Sequence, residues 1–83
     1  MWRYQAVYID RDEETREYSI CEVYLDEDGK LEGWTENSSI APYGTSYEEL
    51  IGDLQIMMED TRRWKAVPFD SMSVGMTFER NED

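Results

Sequence analysis

Residues 17–35 read E-Y-S-I-C-E-V-Y-L-D-E-D-G-K-L-E-G-W-T and contain the strongest fold signal in the chain. Two segments rich in aromatic and β-branched residues, 17–25 and 30–36, flank the polar run Asp-Glu-Asp-Gly. A polar run that ends in glycine between two such segments is typical of a β-hairpin, where glycine supplies the positive φ of the turn. The sequence therefore predicts two antiparallel strands that meet at Gly29. Within the second strand, Gly33 indicates a bulge or a close backbone approach.

The Asp-Glu-Asp-Gly run also resembles the middle of a calcium-binding loop, so a metal site is the alternative to a turn. With Gly29 at the glycine position of a 12-residue calcium loop, Asp26 and Asp28 fall at ligand positions 3 and 5. Tyr24 and Thr35 then occupy positions 1 and 12, where the loop needs a carboxylate and a bidentate glutamate. The flanking segments are strand-like, whereas calcium loops of this type join helices. We therefore predict a hairpin turn and neither a metal site nor a cofactor.

Outward from this hairpin, the sequence predicts three more strands. Residues 2–9 are aromatic and β-branched, and the polar run 10–16 forms the loop that connects them to the strand at 17–25. Towards the C-terminus, residues 64–69 predict a short edge strand. Residues 71–78 alternate apolar with small residues and predict a fifth strand.

One helix is predicted over residues 46–62, after a loop at 37–45. Ser46 followed by Glu49 is typical of a capping box. Apolar residues at helical spacing predict a buried stripe made of Tyr47, Leu50, Ile51, Leu54, Met57, Met58 and Thr61. The opposite side is predicted to face solvent with Glu49, Asp53, Gln55, Glu59 and Asp60. Gly52 costs the helix about 1 kcal/mol relative to alanine, which indicates close packing or a contact at that position.

Together these elements predict an α+β fold in a single domain, residues 1–83, with a frayed tail at 79–83. The expected order is β-β-β-α-β-β, with an antiparallel sheet of four to five strands and the helix packed on one face. A hydrophobic content of 40% suffices for one small core.

The composition excludes several kinds of catalysis. Because the chain has no histidine, it lacks imidazole acid/base catalysis, Ser-His and Cys-His nucleophiles and the commonest metal ligand. Its one cysteine, Cys21, allows no intramolecular disulfide and lies in an apolar run that predicts a core position. Nothing singles out two of the many carboxylates as a pair in a cleft. We therefore predict a protein that is not an enzyme. Without a signal-peptide pattern or a long apolar run, we expect a cytoplasmic location.

Charge is the most unusual property of the chain. Twenty Asp and Glu against eight Lys and Arg give a net charge of −12, which disfavours nucleic acid and anionic membranes and favours a basic partner. Eleven acids fall within the first 36 residues: Asp10, Asp12, Glu13, Glu14, Glu17, Glu22, Asp26, Glu27, Asp28, Glu32 and Glu36. Same-face residues of a strand lie about 6.6 to 6.8 Å apart, of the order of the spacing of phosphates in nucleic acid. The alternative is an acidic surface that serves only solubility.

Aromatic residues alternate with these acids and suit an interface, because Tyr and Trp are frequent interface anchors. Arginine stacks on aromatic rings and pairs with carboxylates, so an arginine-rich partner would fit such a surface. The residues predicted to bind the partner are Asp12, Glu13, Glu14, Glu22, Tyr24, Asp26, Glu27, Asp28, Glu32 and Trp34.

The predicted order of elements, together with Y-G-T-S-Y-E-E-L-I-G-D-L at residues 43–54, resembles the small HicB-type antitoxin domain. In that family a three-stranded meander leads through a Gly-x-Thr/Ser-x-Glu-Glu segment into a helix and an edge strand, which corresponds to about residues 2–68. The resemblance implies neutralisation of a small basic RNA-cleaving toxin. The separate DNA-binding segment usual in that family has no counterpart here, so operator binding is not expected.

Two further resemblances concern small acidic proteins. Residues 22–30, 33–36 and 42–44 are similar to the pattern E-V-Y-x-D-E-D-G-K…G-W-T-E…P-Y-G of a set of uncharacterised small bacterial proteins, which implies no known activity. In size and acidity the chain is also similar to phage-encoded inhibitors, including anti-CRISPR proteins that imitate DNA; for such a protein the location would be the host cytoplasm.

We therefore predict a non-enzymatic acidic interaction protein that inhibits a nucleic-acid-handling partner by occupying its basic surface. The partner would be a basic nucleic-acid-binding protein or a nuclease complex, with no direct contact to nucleic acid or membrane. The alternative is a dimerising structural module, in which residues 71–78 add a strand to a second copy and the acidity serves solubility.

Overall fold

The computed structural model describes residues 1–82 and contains four strands and one helix in that range. In chain order these are β1 (Trp2–Asp10), β2 (Arg16–Leu25), β3 (Leu31–Trp34), the helix α1 (Tyr47–Arg63) and β4 (Val67–Pro68). A 3-10 turn, Phe69–Ser71, follows β4. The strands form one sheet in the order β3-β2-β1-β4.

The first three strands form the predicted antiparallel meander. β1 and β2 pair over their whole length, and β3 pairs with β2 across a bulge between Tyr24 and Leu25. In the β2–β3 turn, Gly29 has a φ of 79°, the positive value that its position requires. The carboxylate of Asp26 closes this turn by accepting the backbone N–H groups of Asp28 at 2.8 Å and Lys30 at 2.9 Å. The hairpin prediction is therefore confirmed.

The remainder of the sheet differs from the prediction in two respects. β4 has two residues and runs parallel to β1, so the sheet is mixed rather than antiparallel. Residues 71–78 do not form a fifth strand, because a turn at Val74 and Gly75 interrupts the segment, where Gly75 has a φ of 93°. Two backbone hydrogen bonds attach this segment to Leu31: Gly75 N–H donates at 2.7 Å and Met76 C=O accepts at 2.8 Å. The observed order is therefore β-β-β-α-β.

The core lies on one face of the sheet, and the C-terminal segment covers it. Its buried residues are Val7, Cys21, Val23, Leu25, Leu31 and Met72. Five partly buried residues pack around them: Trp34, Val67, Phe69, Met76 and Phe78. The segment that was predicted as a strand thus provides the cover that the prediction assigned to the helix.

The helix begins at the predicted place. The Ser46 hydroxyl accepts the backbone N–H of Glu49 at 3.1 Å, and Glu48 and Glu49 lie in the first turn, where the helix dipole favours acids. The Glu49 carboxylate accepts both the backbone N–H and the hydroxyl of Thr45. The Ser46 cap is therefore confirmed, whereas the reciprocal bond of a capping box is replaced by bonds from Thr45 to Glu49.

The side of α1 that faces the sheet is only partly the predicted one. Met1 and Leu25 exchange two backbone hydrogen bonds, which fixes the pattern of bonding between β1 and β2. The odd-numbered residues of β1 therefore bond to β2, and the backbone N–H of Tyr4 points away from β2, to the outer edge of β1. Asp60 of α1 accepts that N–H at 3.1 Å, and Asp53 accepts the Tyr4 hydroxyl. The prediction that these two aspartates face solvent is therefore wrong. Met57 is buried as expected, but much of the predicted stripe is exposed, namely Tyr47, Ile51, Leu54 and Met58.

Met72 and Val74 distinguish the observed packing from a strand. Met72 is 7% exposed and Val74 is 73% exposed, although alternation would place both on one face. We expect Met72→Ala to lower the free energy of unfolding by about 2 kcal/mol or more, and Val74→Ala to change it by less than about 0.5 kcal/mol. Urea denaturation measures both. Equal losses from the two variants would contradict the structure and favour the strand.

Gly44 and Gly52 form a second matched pair. A Cβ on Gly44 would lie 2.7 Å from the carbonyl carbon of Glu49. A Cβ on Gly52 would meet no described atom within 4 Å beyond its chain neighbours and the backbone of its own helix. We expect Gly44→Ala to destabilise the fold by about 1 to 3 kcal/mol through overpacking. Gly52→Ala should stabilise it by up to about 1 kcal/mol through helix propensity. Thermal and urea unfolding give both values. A destabilised Gly52→Ala variant would show that α1 packs more closely against the rest of the fold at Gly52 than the structure shows.

Candidate functional site

The predicted partner-binding acids lie at the two opposite ends of the sheet. The β1–β2 tip holds Asp12, Glu13 and Glu14, and the β2–β3 tip holds Asp26, Glu27 and Asp28, with Glu32 beside it. The ten residues of β2 separate the two tips by about 30 Å. The structure therefore does not combine these acids into one cluster, and a partner that contacts both tips has to span the length of the sheet.

Within each tip, one aspartate shapes the turn while its neighbours are free to interact. The carboxylate of Asp12 accepts the backbone N–H groups of Glu14 at 2.9 Å and Thr15 at 2.8 Å. These two hydrogen bonds lower the pKa of Asp12. Asp26 has the same role in the other turn. The outward charge of the tips therefore comes from exposed Glu13, Glu14, Glu27 and Asp28.

Four predicted residues lie on the strands. Glu32, near the start of β3, belongs with the β2–β3 tip, and the other three divide between the two faces of the sheet. Glu22 and Tyr24 are on the face opposite the core, here called the tyrosine face, which also carries Trp2, Tyr4, Tyr8 and Tyr18. Trp34 pairs with Val23 and packs against the core, so it does not share a surface with Glu22.

Three of the eight basic residues form exposed ion pairs with acids of the same chain, and a fourth is buried. Arg11 pairs with Glu17 at 2.8 Å, Arg16 with Asp10 at 2.7 Å and Lys65 with Glu79 at 3.2 Å. Arg3 is buried. Three others gather at the end of α1, where Arg62, Arg63 and Arg80 line a shallow depression with Glu59 and Asn81. Acidic side chains therefore outnumber basic ones at the two tips, and basic side chains are concentrated at the C-terminal end of the helix.

Arg3 is a structural cation. Its guanidinium lies between the rings of Trp64, at 4.2 Å, and Phe78, at 4.9 Å, on the core side of the sheet. Nη1 donates to the Tyr4 carbonyl at 2.8 Å and to the Gln5 side-chain oxygen at 2.7 Å, while Nε and Nη2 have no partner among the described residues. Burial lowers the pKa of Arg3 to about 10, and the negative charge of Asp60 limits this decrease. The guanidinium therefore stays protonated at neutral pH.

A groove lies between α1, the loop at residues 40–43 and the tyrosine face. It has a volume of about 610 Å³ and is open to solvent. Its polar and aromatic lining is formed by Trp2, Tyr4, Glu22, Tyr43, Glu49 and Asp53, and its apolar lining by Ile40, Ala41 and Ile56, with Gly52 on the helix side. The volume is in the range of small-ligand sites, about 300 to 1,000 Å³.

Fixed rings and an unpaired carboxylate define the chemistry of this groove. Trp2 and Tyr4 meet edge to face, with ring centroids 5.2 Å apart and planes at 90°. Asp53 connects the three walls of the groove, because from α1 it accepts the hydroxyl of Tyr4 on β1 and, at 2.7 Å, the backbone N–H of Tyr43 in the loop. Burial, followed by the hydrogen bond to Asp53, raises the pKa of the Tyr4 hydroxyl, which therefore remains a donor.

Glu22 is the acid of this groove without a bonding partner. It lies directly opposite Tyr4 in the β1–β2 register and is half-buried. Its backbone N–H donates to Thr35, but among residues 1–82 nothing forms a hydrogen bond or ion pair with its carboxylate. Rings beside a partly buried carboxylate are suited to a cation that has an apolar body.

Sequence reasoning identified Glu22 but missed Trp2, Tyr4 and Asp53 as parts of one groove. The alternation of aromatic residues along β1 is a signal that would have placed Trp2 and Tyr4 on one face. No local signal places Asp53 there, because its position depends on which side of α1 meets the sheet.

Two further findings limit the chemistry of residues 1–82. Within that range, no group of three or more His, Cys, Asp or Glu side chains is arranged to hold a metal ion. Among the described residues, no helix has the length and apolar character needed to cross a membrane.

Comparison with protein-family models found no match, and comparisons with curated proteins and with solved structures likewise found none.

Cys21 carries the one thiol of the chain, and its surroundings make this thiol unreactive. It is fully buried in the core, and burial raises the pKa of its thiol to about 11. Because the thiolate is the reactive form, we expect a disulfide reagent at pH 8 to label the native protein at least about a hundredfold more slowly than the urea-unfolded protein. Absorbance of the released thiol follows the reaction. Rapid stoichiometric labelling of the native protein would show that Cys21 is accessible.

Proposed function

We propose that this protein is a non-enzymatic acidic inhibitor that occupies the basic surface of a nucleic-acid-handling protein. The observation that supports the proposal most directly is the uncompensated acid at both hairpin tips, in a chain with a net charge of −12. Of the eight basic residues, three are paired at the surface with acids other than those named at the tips, and a fourth is buried. The acids at the tips therefore remain available to an external partner.

The energetic basis of the proposal is the one that nucleic acid itself uses. Phosphates bind a basic channel largely by electrostatics, and this contribution falls steeply with salt. An acidic protein gains the same attraction and the same fast, steered association. By occupying the channel, it excludes the nucleic acid. Direct binding to nucleic acid is disfavoured, because both molecules are strongly negative.

The dimensions of the sheet suit this role. The tips lie about 30 Å apart, which is of the order of one turn of B-DNA, about 34 Å. A basic surface shaped for duplex nucleic acid would therefore present cations to both tips at once. This geometry is compatible with a basic RNA-cleaving toxin or with a nuclease complex as the partner.

Competition with nucleic acid tests the proposal. The immobilised protein is exposed to cell lysate at low salt, and bound proteins are eluted with a duplex of about 20 base pairs or, as a control, with a neutral polymer. A protein released by the duplex is purified, and displacement of its labelled nucleic acid is measured. We expect displacement that weakens steeply as salt rises. Simultaneous binding of nucleic acid and this protein to the purified partner would contradict the proposal.

Charge reversal at the tips locates the contact surface. The test variant combines Glu13→Lys, Glu14→Lys and Glu27→Lys, which leaves the turn-forming Asp12 and Asp26 intact. The control variant makes the same change in net charge at three exposed acids away from the tips: Glu36, Glu59 and Glu82.

We expect the tip variant to lose at least about a hundredfold in affinity for the partner, because like charges then face each other. The control should lose no more than a few-fold. Calorimetry or surface plasmon resonance at two salt concentrations measures both. Equal losses would mean that net charge alone matters and that the tips are not the contact.

A further inference from the structure

The tyrosine face contains two places where an aromatic ring stands beside a carboxylate, and one of them is occupied by an arginine of the protein itself. The Cζ atom of Arg16 lies 3.9 Å from the centre of the Tyr8 ring. Its Nε donates to the Asp10 carboxylate at 2.7 Å. At this end of the sheet, ring and carboxylate together bind one guanidinium.

The same combination occurs in the groove at the other end of the face, without the cation. Trp2 and Tyr4 supply the rings, and Glu22 supplies a half-buried carboxylate with no bonding partner among the described residues. The other two acids of the groove are already engaged: Asp53 accepts the Tyr4 hydroxyl and the backbone N–H of Tyr43, and Glu49 accepts the backbone N–H and hydroxyl of Thr45. Glu22 is therefore the acceptor left for an incoming donor.

We propose that this groove binds the guanidinium group of an arginine side chain from the partner protein. The guanidinium lies against the exposed ring of Trp2, which the buried Tyr4 ring contacts edge to face, and donates two N–H bonds to the Glu22 carboxylate. The apolar wall formed by Ile40 and Ile56 contacts the methylene stem. That the arginine belongs to a protein rests on the proposed function; the chemistry of the groove does not.

Arginine fits these groups better than other cations. Its planar guanidinium stacks on aromatic rings and presents paired donors that match both oxygens of a carboxylate. A lysine ammonium is a compact and strongly hydrated charge that does neither, so it loses more hydration in a half-buried site. The basic surface of a nucleic-acid-handling protein offers arginine side chains of this kind.

Gly52 supports the inference independently of the charged groups. It lines the groove within α1, where glycine costs the helix about 1 kcal/mol relative to alanine. Beyond its chain neighbours and the backbone of its own helix, no described atom lies within 4 Å of the Cβ it would have, so packing against the rest of the fold does not require a glycine there. The missing side chain leaves that wall of the groove open for an occupant.

Titration of the full-length, ¹⁵N-labelled protein with the capped peptide acetyl-Gly-Arg-Gly-amide tests the assignment. The indole N–H resonance of Trp2 reports binding in the groove. We expect saturable shifts with the arginine peptide and at least about tenfold weaker binding of its citrulline counterpart, which keeps the shape and removes the charge. The lysine peptide should bind several-fold more weakly than the arginine peptide. Equal binding of either substitute overturns the proposal.

Free arginine tests whether the site is instead one for a metabolite. Its α-carboxylate would approach Glu22 and the other acids of the groove, so we expect weaker binding than for the capped peptide. Tighter binding of free arginine would overturn the assignment to a protein side chain.

Two variants test the groups named. Glu22→Gln removes the charge but preserves the side-chain shape, and Gly52→Leu fills the groove without altering the rings or the acid. Each should weaken binding of the arginine peptide at least about tenfold, whereas Glu48→Gln, on the exposed side of the same helix, should leave it unchanged. Amide spectra establish that each variant is folded. Unchanged binding by folded Glu22→Gln or folded Gly52→Leu overturns the proposal.

The tip variant separates this inference from the proposed function. Its substitutions lie outside the groove, so it should keep arginine-peptide binding within a few-fold while losing the partner. If the partner competes with nucleic acid but the arginine peptide does not bind, the groove assignment alone fails. If the peptide binds but the partner does not compete with nucleic acid, the proposed function alone fails.

Discussion

The contact between Tyr4 and two aspartates of α1 determines how the rest of the molecule is arranged. Asp60 accepts the Tyr4 backbone N–H at the open edge of β1, and Asp53 accepts its hydroxyl. An unpaired N–H at a sheet edge needs an acceptor, and a carboxylate is a strong one. Satisfying Tyr4 in this way turns the side of the helix that carries Asp53, Met57 and Asp60 towards the sheet. The apolar residues Tyr47, Ile51, Leu54 and Met58 are consequently exposed.

This orientation leaves the two faces of the sheet with different roles. The C-terminal segment closes the core face, where Arg3 lies between Trp64 and Phe78. The helix covers only part of the tyrosine face, because it contacts the sheet through β1. The uncovered part becomes the groove beside Glu22. One chain of 83 residues thus combines a closed core with an open aromatic surface.

The charges follow the same division. Acids that shape turns, such as Asp12 and Asp26, accept local backbone N–H groups, while their neighbours remain exposed at the tips. Long-range attraction of a basic partner would come from the tips, since charge acts over about a Debye length in salt. Short-range recognition would come from the groove, where partial burial strengthens each interaction. Under the proposed function, long-range attraction and short-range recognition of the partner would therefore lie on different parts of the surface.

Signals that act between near neighbours were sufficient for much of the fold. The meander followed from alternating strands and a turn glycine, and Gly29 has the positive φ that this turn requires. The helix start followed from the Ser46 cap, and the buried position of Cys21 followed from its apolar neighbours. The acidic tips could also be located from the sequence, because hairpin loops lie at strand ends.

Other features depend on contacts between residues far apart in the chain, and pattern alone could not supply them. The apolar stripe of α1 predicted burial, but the sheet edge at Tyr4 selected the aspartate side of the helix. The alternation at residues 71–78 predicted a strand, but Leu31 holds the segment by two backbone bonds around a turn at Gly75. Amino-acid sequence alone thus determined the local elements and the charge. Tertiary packing determined which sides of those elements meet, because that choice depends on the whole set of competing contacts.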